Sequence, residues 1–243
     1  ADSTRNTGML AFTNAVEGFL RLERGEYVRA RDAFETANKY QQPPYQIAAP
    51  SYTATGIYFR GLVDLRSGDL PSAERECAEM KKLALEVRKE VPTGFTLVNN
   101  RLAVLSSEIM LAEGRPDDAI KCHRREFRIF VPAGSSPVLY AVNVPFDQDI
   151  VARAYVAKGD LNGAIAEYEK LLTFDPASKD RRLKNPRYEY RLAKLLEKQG
   201  EPAKALEHYD KFLEYWRNAD PALPELGDAK ARVEALKSPR GKR

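Results

Sequence analysis

Cysteine and histidine are scarce in this chain of 243 residues, which holds only Cys77, Cys122, His123 and His208 of the two types. With no CxxC pair and so few nitrogen and sulfur ligands, neither a disulfide framework nor a structural zinc site is expected. Two thiols fit a reducing, cytoplasmic compartment, and no signal-peptide pattern opens the chain. No apolar run approaches the roughly 18 residues a membrane-spanning helix needs, so membrane insertion is not expected. Charge of one sign is also in short supply: 39 Lys and Arg stand against 35 Asp and Glu, a net charge of +4. A nucleic-acid binder carries a stronger, clustered excess. Finally, there is no glycine-rich phosphate loop, GxSxG elbow, HExxH pair or EF-hand loop. No catalytic residue, cofactor or metal is predicted, and the chain reads as a non-enzyme.

What is present is a period. Gly25, Gly68, Gly114, Gly159 and Gly200 each stand between two amphipathic stretches, at spacings of 43, 46, 45 and 41 residues. Five residues after each glycine comes alanine: Ala30, Ala73, Ala119, Ala164 and Ala205. Seven residues before it comes a small residue: Gly18, Gly61, Ser107, Ala152 and Ala193. Nine after it come Phe34, Cys77, His123, Tyr168 and Tyr209, three of the five aromatic. Two antiparallel helices joined by a tight turn need glycine in the left-handed conformation that ends the first helix. Small side chains then fit where the helices cross, and the larger one fills the wider gap beyond.

The segments AVEGFLRLERGEYVRARDAFETA (15–37) and VARAYVAKGDLNGAIAEYEKLLTFDP (151–176) carry this small–x₆–Gly–x₄–Ala–x₃–aromatic framework, and Pro176 closes its unit. They resemble tetratricopeptide repeats, and the likeness runs over residues 8–237, looser in the second and third units. The usual unit is about 34 residues, so the surplus here goes into longer helices or connections. The stretch 168–226 also resembles bacterial tetratricopeptide regions attached to kinase, cyclase or winged-helix regulators. The resemblance implies an all-α, right-handed superhelical solenoid that binds proteins or peptides. The family's clamp for a chaperone-tail carboxylate is not expected, because its places hold Ala15, Phe19, Phe59, Leu102 and Ser106.

The pattern predicts helices at 8–23, 27–40, 51–67, 71–89, 95–113, 116–130, 146–158, 161–174, 186–199, 202–217 and 224–237. They form five pairs (8–40, 51–89, 95–130, 146–174 and 186–217) and a C-terminal capping helix, within a single domain spanning 1–243. A cap with a polar outer face is what a solenoid requires for solubility. Three long connections, 41–53, 131–146 and 175–187, are candidates for binding loops or for segments folded back over the repeats.

First helices line the concave face of such a solenoid. Helical spacing assigns that face Phe12, Phe19, Thr55, Tyr58, Leu62, Arg101, Glu108, Phe146, Asp149, Arg153, Arg187, Tyr190 and Lys194. Its N-terminal half is apolar and its C-terminal half cationic, which suits an extended peptide with an apolar and an acidic portion. Each residue has a second reading, as core or as a solvated face. His123 falls at an aromatic packing position and reads as a core histidine, beside a run of Lys121, Arg124, Arg125 and Arg128. Beside the binding scaffold stands the alternative of a structural or regulatory module, in a larger signalling protein or a homo-oligomer.

Overall fold

A computed structural model describes residues 7–40, 50–90, 92–127, 148–173 and 185–238, without the side chains of 50–52, 89–90 and 92–97. Every regular element in them is a helix: α1 (Thr7–Glu23), α2 (Tyr27–Lys39), α3 (Pro50–Ser67), α4 (Leu70–Glu90), α5 (Pro92–Ala112), α6 (Pro116–Glu126), α7 (Ile150–Lys158), α8 (Leu161–Leu172), α9 (Arg187–Gln199), α10 (Pro202–Tyr215) and α11 (Pro224–Lys237). Five of these eleven begin on proline, whose missing N–H is one of the orphan donors of a first turn anyway.

All five turn glycines have positive φ, from 72° at Gly25 and Gly114 to 91° at Gly68. Each ends its helix with the same pair of bonds. In the first unit Gly25 N–H donates to Leu22 at 3.1 Å and Glu26 N–H to Arg21 at 2.9 Å. The next four units repeat it, as in Asp69 N–H to Asp64 at 2.8 Å and Asp160 N–H to Tyr155 at 2.9 Å. This double closure needs a residue at ease in the left-handed region. Second helices start on acidic caps in two units: Asp69 accepts from Ser72 N–H at 3.1 Å and Asp160 from Gly163 N–H at 2.9 Å. Asp117 is no cap; its carboxylate takes Lys158 Nζ at 2.6 Å, tying α6 to α7.

Each helix packs against the next along the chain, and α5 also touches α3 and α7. The five repeated alanines have no exposed surface. At Gly18 an added Cβ would lie 2.4 Å from the Phe34 ring, and at Gly61 one would lie 2.7 Å from Leu105. Phe34 in turn stacks on Phe59 at 4.2 Å and meets Phe19 edge-on at 5.2 Å. The apolar interior forms two main clusters. One centres on Phe19, Phe34, Tyr58, Leu62 and Leu105, the other on Tyr168, Tyr188, Leu192, Tyr209 and Phe212. α11 adds Leu226 and Ala229 to the second.

Boundaries moved in places. The sixth helix stops at Glu126, not 130, where Phe127 turns extended at ψ 133°. The seventh starts at Ile150, not 146. The eighth ends at Leu172 and the tenth at Tyr215, each short of the predicted limit. His123 is largely buried against Phe127, ring centroids 4.7 Å apart, and its Nε2 has no hydrogen-bond partner. Burial pushes the imidazole down to about 4, against the opposing pull of Glu108 and Glu167. It occupies a packing position, as an aromatic does in other units.

Candidate partner-binding surface

Three registers of the first helices generate the expected surface. Thirteen residues before the turn glycine stand Phe12, Thr55, Arg101, Phe146 and Arg187. Ten before it stand Ala15, Tyr58, Val104, Asp149 and Tyr190, and six before it Phe19, Leu62, Glu108, Arg153 and Lys194. The outcome differs by unit. Phe19, Tyr58 and Leu62 are 3%, 0% and 2% exposed. They are core, because the aromatic rings of successive units interlock and cover them. These three are therefore interior, while Phe12 is only partly buried. Arg101 is half-buried, its guanidinium 4.5 Å above the Tyr58 ring. Phe146, and the long connections apart from their helical ends, lie outside the described residues.

The charged residues of the C-terminal half pair among themselves and with neighbouring helices. Glu108, buried on α5, accepts from both terminal nitrogens of Arg153 on α7, one at 3.0 Å, and from Arg66 on α3 at 3.3 Å. Arg153 Nε donates to Asp149 at 3.0 Å. Asp149, 1% exposed, also accepts from Tyr168 Oη at 2.8 Å and from Arg191 on α9. Arg191 lies 3.9 Å from Glu23, which accepts from Arg187 at 2.7 Å. Glu225 on α11 lies 3.1 Å from Arg187 Nε, off the N–H direction, so that N–H makes no hydrogen bond. The ladder thus runs through first helices with four arginines and four carboxylates, and its formal charges cancel.

Burial works against both central carboxylates, yet each titrates below the ordinary carboxylate range. Desolvation pushes Glu108 up, and the charges of Arg153 and Arg66 more than reverse it. The same opposition holds at Asp149, where Arg153 and Arg191 prevail. Arg153 is held far above its usual value by the two acids, against its own desolvation. Burying such charges is tolerable only when pairing is this complete. The expected match to an acidic partner is correspondingly reduced, since Arg153 and Arg187 are already engaged.

Two predicted residues face water more openly. Lys194 has a side chain 44% exposed, with Nζ 3.3 Å from Tyr190 Oη and 3.8 Å from Asp228. Tyr190 is half-buried and donates to Asp228 at 2.6 Å. Sequence reasoning missed Arg66, Arg191 and Glu23. One signal was available: Glu108 and Arg153 hold the same register in adjacent units with opposite charge, which is the signature of an inter-repeat ion pair.

The cations of α6 are partly spent as well, Arg124 on Glu167 at 2.5 Å and Arg125 on Glu126 at 2.6 Å; Arg128 lies outside the described residues. No three potential metal ligands converge among the described residues, and no described helix is long and apolar enough to cross a membrane.

Comparison with known proteins gives one family. A search of curated proteins finds no significant match. A tetratricopeptide repeat model matches residues 188–219, which span α9 and α10, the fifth helix pair. Repeats of this family are typically non-catalytic and suggest a protein–protein interaction scaffold. The matched unit shares the turn glycine and the buried alanine with the four pairs before it, and a buried aromatic nine residues after the glycine with the first and fourth; the match supports a tetratricopeptide repeat at the fifth pair.

Proposed function

We propose that the chain is a non-catalytic scaffold that binds a protein or an extended peptide along the concave face of one right-handed solenoid domain. The observation that carries this reading is the tetratricopeptide match at 188–219 on a helix pair built like its neighbours. Stacked pairs of this kind create long binding surfaces without any need for reactive groups. Within the predicted surface, Phe12, Arg101, Arg153, Tyr190 and Lys194 are the described residues with side chains at least partly open to a partner. An acidic portion of that partner has Lys194 to meet, with the buried ladder behind it fixing the shape of the groove. The three long connections are candidate flanks for the ligand. Two free thiols fit a cytoplasmic setting.

The test is capture of partners from the native lysate with the wild-type chain, a Tyr190→Ala plus Lys194→Glu variant, and an Arg125→Glu control on the second helix α6. A partner lost with the concave variant and kept with the control supports the reading. An identical partner set for all three, with helix content unchanged, removes the concave face from consideration.

A second reading, self-assembly, draws on α1. Met9, Leu10 and Leu20 are 51%, 40% and 50% exposed on that helix. Apolar surface at the end of a solenoid favours association. Light scattering over a concentration series distinguishes it, since a constant monomer mass excludes it.

A further inference from the structure

The first and fifth helix pairs meet through charge. Glu23, the last residue of α1, accepts from Arg187, the first residue of α9, at 2.7 Å across 164 residues of sequence. Arg191 approaches the same carboxylate at 3.9 Å, and Arg24 lies 4.0 Å from Asp220. Among the described residues, the C-terminal apolar cluster draws none from α1 or α2, so the contact between these pairs is one of charge.

Both partners sit where their own helices disfavour them. An acid at a helix C-terminus and a cation at a helix N-terminus each oppose the macrodipole. Glu23 gets no help from Arg21, which pairs with Glu17 and Glu26 instead. Arg187 and Arg191, by contrast, are held in place from behind. Arg187 lies over the Trp216 ring at 5.2 Å with Glu225 beside it, and Arg191 is bound to Asp149. The receiving half is therefore preformed, and α1 supplies one carboxylate to it. The contact is only partly shielded, with side chains 19% exposed at Glu23 and 10% at Arg187. A pair at this depth is screened less by salt than an exposed one, so removing the Glu23 charge is the stronger perturbation and 1 M salt, with a screening length of about 3 Å, the weaker.

We propose that Glu23, Arg187 and Arg191 form a releasable clasp that holds the superhelix closed, first pair against fifth. It stands independently of whether the concave face takes a peptide. The test is small-angle scattering of the full chain at 50 mM and 1 M NaCl, for wild type, Glu23→Gln, Glu23→Arg and Lys237→Gln. The last removes an exposed pair with Asp210 away from the contact. Wild type and Lys237→Gln are expected to expand on adding salt. Both Glu23 variants are expected to show the expanded radius of gyration already at low salt, with helix content by circular dichroism unchanged. Should one Glu23 variant lose helix, the other decides. Glu23 variants that keep the wild-type radius of gyration at 50 mM NaCl overturn the clasp, as does equal low-salt expansion in Lys237→Gln.

Discussion

His123 holds the packing place that Phe34, Tyr168 and Tyr209 hold in other units, at the cost of a buried ring nitrogen without a partner. Its folded value of about 4 lies below the ordinary histidine value of about 6.5. The unfolded chain therefore binds the proton first as pH falls, and stability drains from about pH 6.5 down to about 4. At pH 5 that loss amounts to about 2 kcal/mol. His123→Phe is expected to remove it, so denaturant midpoints of wild type and variant should diverge more at pH 5 than at pH 7.5. A gap independent of pH would show that the imidazole is not titrating against burial. The turn glycines give a cleaner residue-scale case. A Cβ at Gly114 would touch nothing within 4 Å, so only the backbone at φ 72° resists it. Gly114→Ala should cost about 1 kcal/mol in urea unfolding, the left-handed penalty less what the stiffer unfolded chain returns. At Gly18 the penalty would be steric, through Phe34, although alanine is the better helix former.

At the scale of elements, the ladder from α3 through α5 and α7 to α9 decides how the first helices stand side by side. Removing the Glu108 charge leaves Arg153 with only Asp149 and strands Arg66, so Glu108→Gln should cost about 3 kcal/mol at pH 7. Acid does the same chemistry. Both carboxylates have lowered values when folded, so their stabilisation is complete above about pH 4.3 and is lost as pH falls through those lowered values. Wild type should therefore lose stability more steeply than Glu108→Gln as pH falls below about 4.3. Parallel curves by chemical denaturation would count against the ladder as the source. Much of this scale was legible beforehand. Turn glycines, crossing alanines and first-turn prolines are local requirements, so they show in the text with their register. Helix ends at 126, 150 and 215 were not, because where a helix stops beyond its capped start depends on what it packs against.

For the molecule as a whole, ends matter most. α11 buries Leu226 and Ala229 over the fifth pair and is pinned by Asp228 to Tyr190 at 2.6 Å and by Arg232 to Glu197 at 2.8 Å. Deleting residues 224–243 would uncover the Phe212 and Trp216 side of α10, and the shortened chain should associate with rising concentration in light scattering. A monodisperse deletion would mean that α11 is dispensable as a cap. The clasp between α1 and α9 belongs to the same scale, since it exists only once five pairs have curved round to meet.

The sequence alone determined the helix pairs, their order and their small crossing residues, because each follows from contacts within one unit or with its neighbour. It also located the registers from which a partner surface would be drawn. Only the tertiary structure decided what those registers became. Phe19, Tyr58 and Leu62 went into the core because adjacent units cover them, Arg153 was matched by the buried Glu108 and Asp149, and Arg187 by the half-buried Glu23. Charge in a sequence has a sign but no neighbour; curvature brought Glu23 to Arg187, and no reading of either helix by itself contains that meeting.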